Sequence, residues 1–185
     1  MKVLAICGSP RKEGNTEIML KEALKGAEEE GAEAELITLA EKRIEYCLGC
    51  DDCKYPCVIR DDMDEIYKKM INADIIILGT PVYWCTLSGL LKNFIDRCTC
   101  LNEPDFKLKD KIGGGITVSG YFVGNVEALY AIWDFFNWTE MIMPGRNSAE
   151  GFALKAGEIL KRKDDLKNAR DLGKRLVKFY KEKLK

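Results

Sequence analysis

Short continuous apolar runs alternate along this chain with longer stretches in which apolar residues recur every three or four positions. "KVLAIC" at 2–7 is the first continuous run, and it predicts a strand covered on both faces. Residues 15–30 follow with Leu20, Ala23, Leu24 and Ala27 on one face, a helix for which Asn15 is the expected N-cap and Gly31 the closing residue. "AELITL" at 34–39 predicts a second strand. The next segment, roughly twenty residues long, has neither period, and structureless stretches of that length inside a domain are usually functional or disordered. Asp61 or Asp62 then caps a helix that runs to about Asn72, and "DIIILGT" at 74–80 is a third buried strand. The loop "PVYWCT" leads to a helix at 87–99 with Leu87, Leu91, Phe94 and Ile95 turned inward. "KIGGGITVS" at 111–119 is a fourth strand, its three glycines read as sites of close backbone packing. A helix at 125–137, a short fifth strand "TEMIMP" at 139–144, and a last helix at 164–183 striped by Leu166, Ala169, Leu172, Leu176 and Val177 complete the series.

Strands and helices that alternate in this way predict an α/β fold, a doubly wound five-stranded parallel sheet with helices on both faces. No repeat and no Gly/Ser/Pro-rich linker divides the chain, so residues 1–185 read as a single domain with a cysteine-rich insertion at about 44–60. Ligands of such folds bind at the carboxyl ends of the strands, near the topological switch point. The loops after the first, third and fourth strands are expected to meet there.

Composition removes several classes of chemistry. Lys plus Arg (29) nearly balances Asp plus Glu (30), leaving a net charge of −1 and no basic excess to hold nucleic acid. The basic C-terminal stretch is interrupted at helical spacing by apolar residues and reads as a solvated helix face. With no histidine, Ser-His-Asp, Cys-His and His-ligated zinc sites are excluded. No signal-peptide pattern and no bilayer-length apolar run appear, so the expectation is a cytoplasmic protein with reduced thiols and no membrane partner.

The loops carry the candidate chemistry. "GSPRKEGNT", from Gly8 to Thr16, fits neither the Walker nor the G-x-G-x-x-G spacing. It nevertheless gathers donors suited to a phosphate ahead of a helix N-terminus: the hydroxyls of Ser9 and Thr16, the Asn15 amide and the Arg11 guanidinium, with Gly14 in the same candidate set. In "TPVYWCT", Pro81 fixes a turn while Val82, Tyr83 and Trp84 offer surface for a flat ring. Ser119, Gly120, Tyr121 and Gly124 in "SGYFVGN" would close such a site, the glycines allowing close backbone approach. One phosphate loop and two ring loops describe a mononucleotide with an aromatic head, such as a flavin.

"GSPRKEGNT", "GTPVYW" and the helix "SGLLKNFIDR" resemble the NADPH-dependent FMN reductase-like branch of the flavodoxin-like superfamily, and a cysteine loop ahead of "IRDDMDEI" resembles the archaeal iron–sulfur flavoproteins within it. The resemblance covers most of the chain and is strongest over residues 1–100. It implies FMN, with the phosphate on Ser9, Arg11, Asn15 and Thr16 and the ring along Pro81, Val82, Tyr83 and Trp84. It also implies a homodimer or a dimer of dimers.

The cysteine run "CLGCDDCKYPC" places Cys47, Cys50, Cys53 and Cys57 at C-x-x-C-x-x-C-x-x-x-C spacing. Structural zinc usually draws its thiolates from two separated pairs, whereas a packed run of four can wrap a [4Fe–4S] cluster. Cys47, Cys50 and Cys53 are the firmer three ligands; the fourth is Cys57, with Cys85, Cys98, Cys100 or an iron left open as alternatives, and Cys7, like Cys85, otherwise reads as core. Three functions follow: an FMN protein exchanging electrons with a cluster, fed by a ferredoxin-like donor and passing electrons to a small-molecule acceptor; a cluster-free NAD(P)H-dependent FMN or quinone reductase; and a zinc-stapled binding module.

Overall fold

A computed structural model of the chain describes residues 1–102 and 104–183. Its elements run in the order β1 (Lys2–Cys7), α1 (Asn15–Glu29), β2 (Glu33–Thr38), α2 (Met63–Asn72), β3 (Ile75–Pro81), α3 (Gly89–Arg97), β4 (Ile112–Ser119), α4 (Asn125–Trp138), β5 (Ser148–Phe152) and α5 (Lys163–Lys183). The strands form one sheet in the order β2-β1-β3-β4-β5, and every pairing is parallel. The order reverses between β1 and β3, which puts the switch point where the first and third loops leave the sheet.

Strand burial explains why the continuous runs were legible. β3 and β4 lie inside the sheet with helices on both faces, so their residues are buried almost throughout and need no alternation. On one face Met19, Leu20 and Ala23 of α1 and Leu172 and Leu176 of α5 cover Val3, Ala5, Ile75 and Ile77. On the other, Tyr67 of α2, Leu91 and Phe94 of α3 and Ile132 of α4 cover Leu4, Ile6, Ile76 and Leu78. The glycines of β4 serve packing, as their spacing implied: a Cβ at Gly113 would fall 2.6 Å from the Phe136 ring, and one at Gly114 would fall 2.6 Å from Leu176 Cδ1.

Two expectations, the fifth strand and the cap of α1, are corrected by the structure. The fifth strand is not 139–144 but Ser148–Phe152; within the earlier segment Ile142 makes only an isolated bridge to Ile112. As an edge strand, β5 alternates half-buried with buried residues and carries polar Ser148 and Glu150, so it lacks the apolar run that marks the inner strands. The N-cap position of α1 is Gly14, and Asn15 begins the helix. At α2 the expected pair serves: Asp62 holds the N-cap position, and the Asp61 carboxylate accepts from Met63 N at 3.0 Å.

α1 and α5 pack backbone to backbone. A Cβ on Gly173 would lie 1.9 Å from the Ala23 carbonyl oxygen, and one on Gly26 would lie 2.0 Å from that of Arg170. Gly173→Ala is therefore expected to force the helices apart and cost about 1–3 kcal/mol, the range for overpacking. The check is the urea midpoint at unchanged m-value; a midpoint equal to wild type would contradict this packing.

Candidate functional site

Two adjoining cavities open at the carboxyl edge of β1, β3 and β4, and they share Val82, Tyr83, Gly120 and Tyr121. The first, about 220 Å³, is lined on one side by Ser9, Arg11, Asn15 and Thr16 and on the other by Pro81, Val118, Ala153 and Leu154. The second, about 590 Å³, continues along Trp84, Cys85, Ser119 and Val123. The three loops expected to converge do so, and one composite site has a polar end and an apolar, aromatic end.

At the polar end, α1 begins without a side-chain cap, which leaves its first-turn N–H groups directed at the cavity. The Ser9 hydroxyl folds the loop on itself, accepting from Arg11 N at 3.1 Å and donating to Arg11 O at 3.3 Å. Thr16 is buried, and Arg11 is exposed at the mouth. Asn15 has a task that its sequence position did not reveal. Its amide donates to Lys155 O at 2.9 Å and accepts from Ile159 N at 3.4 Å, pinning the segment after β5 against the loop after β1. That segment brings Ala153 and Leu154 into the wall. Both escaped sequence reading because the strand preceding them was placed too early.

At the aromatic end, Tyr83 and Thr86 exchange backbone hydrogen bonds of 3.0 and 3.1 Å around a two-residue turn. The central residues, Trp84 and Cys85, have φ of +48° and +58°, the left-handed pairing that normally selects Asn-Gly. Neither residue is core: Trp84 is 98% exposed, and Cys85, expected as core filler, is exposed too. Gly124, at φ +83°, lies against this turn, and a Cβ there would meet Cys85 Cα at 2.6 Å. Ser119 Oγ donates to Tyr121 O and accepts from Asn125 Nδ2, while Asn125 Oδ1 is buried without a partner. The uncapped helix, the polar loop and the adjoining aromatic wall together have the donors and the shape that a phosphorylated ring compound requires, so FMN fits this site; Asn125, bonded to the lining residue Ser119, adds a buried acceptor beside it. Asn125 closes the expected loop "SGYFVGN" and opens α4, and its position at a helix start hides it among the loop's candidate residues.

The cysteine loop leaves the same edge of the sheet from β2, beside β1, and a 2.7 Å surface ion pair between Lys12 and Glu41 links the two loops. Cys47 and Cys50 are exposed, and Cys53 and Cys57 are half-buried. Cys53, Tyr55 and Cys57 rest on the core beneath α2 and α3, with the Tyr55 ring edge-on to Tyr67 at 6.1 Å. Gly49 N donates to Cys47 Sγ at 3.5 Å. Burial, followed by the charges of Cys47, Cys57 and Cys50, raises the Cys53 pKa. Among the described residues no three Cys, Asp or Glu side chains already stand together as a metal site. The chemistry of the donor set, four thiols with an N–H···S bond, fits a thiolate-bound metal or cluster. Of the alternative ligands, Cys98 and Cys100 are buried; burial holds the Cys98 thiol well above its ordinary range and pushes Cys100 up to about 11. Cys7 is core, as expected, and burial pushes it to about 11.

Fold and site define a flavodoxin-like α/β protein with a nucleotide-type cleft at its switch point. The chain matches the family model for NADPH-dependent FMN reductase over residues 1–154, and it belongs to that family of FMN-dependent oxidoreductases. It is 41% identical over 190 aligned residues to an iron–sulfur flavoprotein of Methanocaldococcus jannaschii, covering 98% of each chain. It is 38% identical to an iron–sulfur flavoprotein of Archaeoglobus fulgidus, covering 99% of this chain and 82% of that one. Among solved structures, RosB with bound 8-demethyl-8-formylriboflavin-5'-phosphate superposes with a TM-score of 0.81 at 17% identity, over 99% of this chain and 81% of that one, a likeness of fold.

Two outcomes follow from this geometry. Cys85→Gly relieves a left-handed residue and is expected to raise the stability of the flavin-free protein by about 1 kcal/mol, read as a higher urea midpoint; an unchanged or lower midpoint would show that the turn carries no strain. The second concerns Asp61. Burial alone would raise its pKa, but Arg97 and the N–H groups of Glu45 and Met63 outweigh burial and hold it below the usual value. Its contribution to stability is complete above the unfolded carboxylate pKa of about 3.9 and is lost as pH falls through the lower folded value. Urea midpoints taken between about pH 6 and 2.5 are expected to fall less steeply on the acid side in Asp61→Asn; identical acid limbs would contradict it.

Proposed function

We propose that this protein is an iron–sulfur flavoprotein, an oxidoreductase that passes electrons between FMN in the composite cleft and a [4Fe–4S] cluster on Cys47, Cys50, Cys53 and Cys57. The observation that carries the reading is the shared carboxyl edge: a phosphate-type loop, an aromatic turn and a four-thiol loop leave adjacent strands on the same side of one sheet. Iron–sulfur flavoproteins of similar length align end to end with this chain.

Bound there, FMN supplies one- and two-electron chemistry and a cluster one-electron transfer, which together join two-electron to one-electron partners. The chain's own groups do the holding. The α1 N-terminus, Thr16 and Arg11 would take the phosphate, while Ser9 and Asn15 keep the loop and its opposing wall in shape. Val82, Tyr83 and Trp84 would hold the ring, and Ser119, Gly120, Tyr121 and Gly124 would close the other side. No histidine is required, because the redox work lies with the cofactors.

A ferredoxin-like protein suits the donor role and a small molecule the acceptor role. The wide exposure of Trp84, Tyr121 and Phe122 around the cleft favours a homodimer or dimer of dimers that covers it. Among the described residues no helix is long and apolar enough to cross a membrane, and eight unpaired cysteines suit a reducing cytoplasm. A second reading, a cluster-free NAD(P)H-dependent FMN or quinone reductase, draws on the open arrangement of the thiols and on an exposed aromatic wall against which a nicotinamide could stack.

The test is the visible spectrum of anaerobically purified protein, with FMN, iron, sulfide and zinc counted on the same sample. Flavin bands over broad brown absorbance, with about four iron per chain, are expected. Yellow protein without iron, bleached by NADPH, would establish the second reading, and zinc at one per chain would make the loop structural.

A further inference from the structure

Among the described residues Arg97 is the largest fully buried side chain, and it is charged. It ends α3 beneath the cysteine loop, where both its own side chain and that of Asp61 are 0% exposed. Nη1 donates to Asp61 Oδ2 at 2.5 Å and to Glu45 O at 2.8 Å, and Nη2 donates to Asp61 Oδ1 at 3.2 Å. Asp61 Oδ2 in turn accepts from Glu45 N at 2.8 Å. Since Glu45 precedes Cys47 and Asp61 follows Cys57, a single guanidinium closes the neck of the loop. One turn earlier on α3, Asn93 holds Ile44 O at 3.1 Å.

A buried ion pair is not needed for stability as such, because well-packed apolar residues close such contacts at no loss. Nε of Arg97 is left without a partner. The remaining N–H explains the choice of residue: Nη2 reaches Cys57 Sγ at 3.8 Å, within hydrogen-bonding range for sulfur. Among the described residues, Cys57 is the loop cysteine that receives a charged donor. Cys98 and Cys100, which follow Arg97 in the chain, are buried, and Cys100 Sγ is held by Arg97 O at 3.6 Å.

We propose that Arg97 is the positioning residue of the cysteine loop: clamped by Asp61 and Glu45, it presents a cationic N–H to Cys57 Sγ, selects that thiol as the fourth cluster ligand, and raises the potential of the cluster. The proposal rests on the cluster reading above. A donor on a ligating sulfur withdraws electron density and favours the reduced cluster, so removing the donor lowers the potential. Removing the Asp61 charge has the opposite sign, because the guanidinium is then uncompensated.

The experiment is a redox titration of anaerobically reconstituted, full-length wild type, Arg97→Gln, Asp61→Asn and the double variant, with iron counted in each. Arg97→Gln is expected to shift the one-electron equilibrium about tenfold toward the oxidised cluster, about 59 mV more negative. Asp61→Asn is expected to shift it the other way, and the double variant to return near wild type. A loop that was merely loosened would move both single variants in one direction, and that result overturns the proposal, as does an unchanged potential in both. If Arg97→Gln fails to hold iron, Asp61→Asn decides alone: a more positive potential supports the role, and an unchanged or more negative one refutes it. Wild type that binds no iron refutes the cluster reading itself.

Discussion

A parallel sheet sends every strand's carboxyl end to one edge, and the functional geometry of this protein follows from that constraint. Hydrogen-bonded in the order β2-β1-β3-β4-β5, the strands deliver the loops after β1, β3, β4 and β5 to a single cleft and the cysteine loop after β2 to its flank. Covering both faces with helices consumes the apolar runs. The edge is left to Gly, Ser, Asn, Arg and aromatic residues, which are free to serve a ligand.

Around that edge the chain accepts local costs that a purely structural loop would avoid. Trp84 and Cys85 adopt left-handed backbone at the tip of a tight turn, and a fully exposed indole is the result. Asn125 keeps a buried amide oxygen without a partner. Arg97 is buried with one nitrogen unpaired. Strain and unmet polar groups cluster where a ligand or a metal centre compensates them. Trp84, Cys85 and Asn125 stand at or beside the cleft, and Arg97 at the neck of the cysteine loop.

Buried strands were legible because continuous apolar runs are their only option, and helices because their stripes face the sheet. β5 was not, since an edge strand needs only one covered face and its sequence, "SAEGF", has no long apolar side chain before Phe152. The misplaced strand also hid Ala153 and Leu154 in the cavity wall. Of the expected residues, Ser9, Arg11, Asn15, Thr16, Pro81, Val82, Tyr83, Trp84, Ser119, Gly120 and Tyr121 line the two cavities, since loop composition is a good guide to what a strand end can hold. The partners of individual side chains were beyond reach. Asn15 reaches across to Lys155, and Arg97 reaches back to Glu45 and Cys57; such contacts depend on tertiary register, which a linear pattern does not encode.

The central claim is that electrons pass between the cysteine loop and the flavin cleft. Its most direct test is anaerobic stopped-flow reduction of the flavin by a one-electron donor, comparing wild type with a Cys50→Ser variant that retains FMN. The account predicts that flavin reduction falls to background in the variant while hydride donors act on both proteins alike. Equal one-electron reduction rates in the two proteins would contradict it.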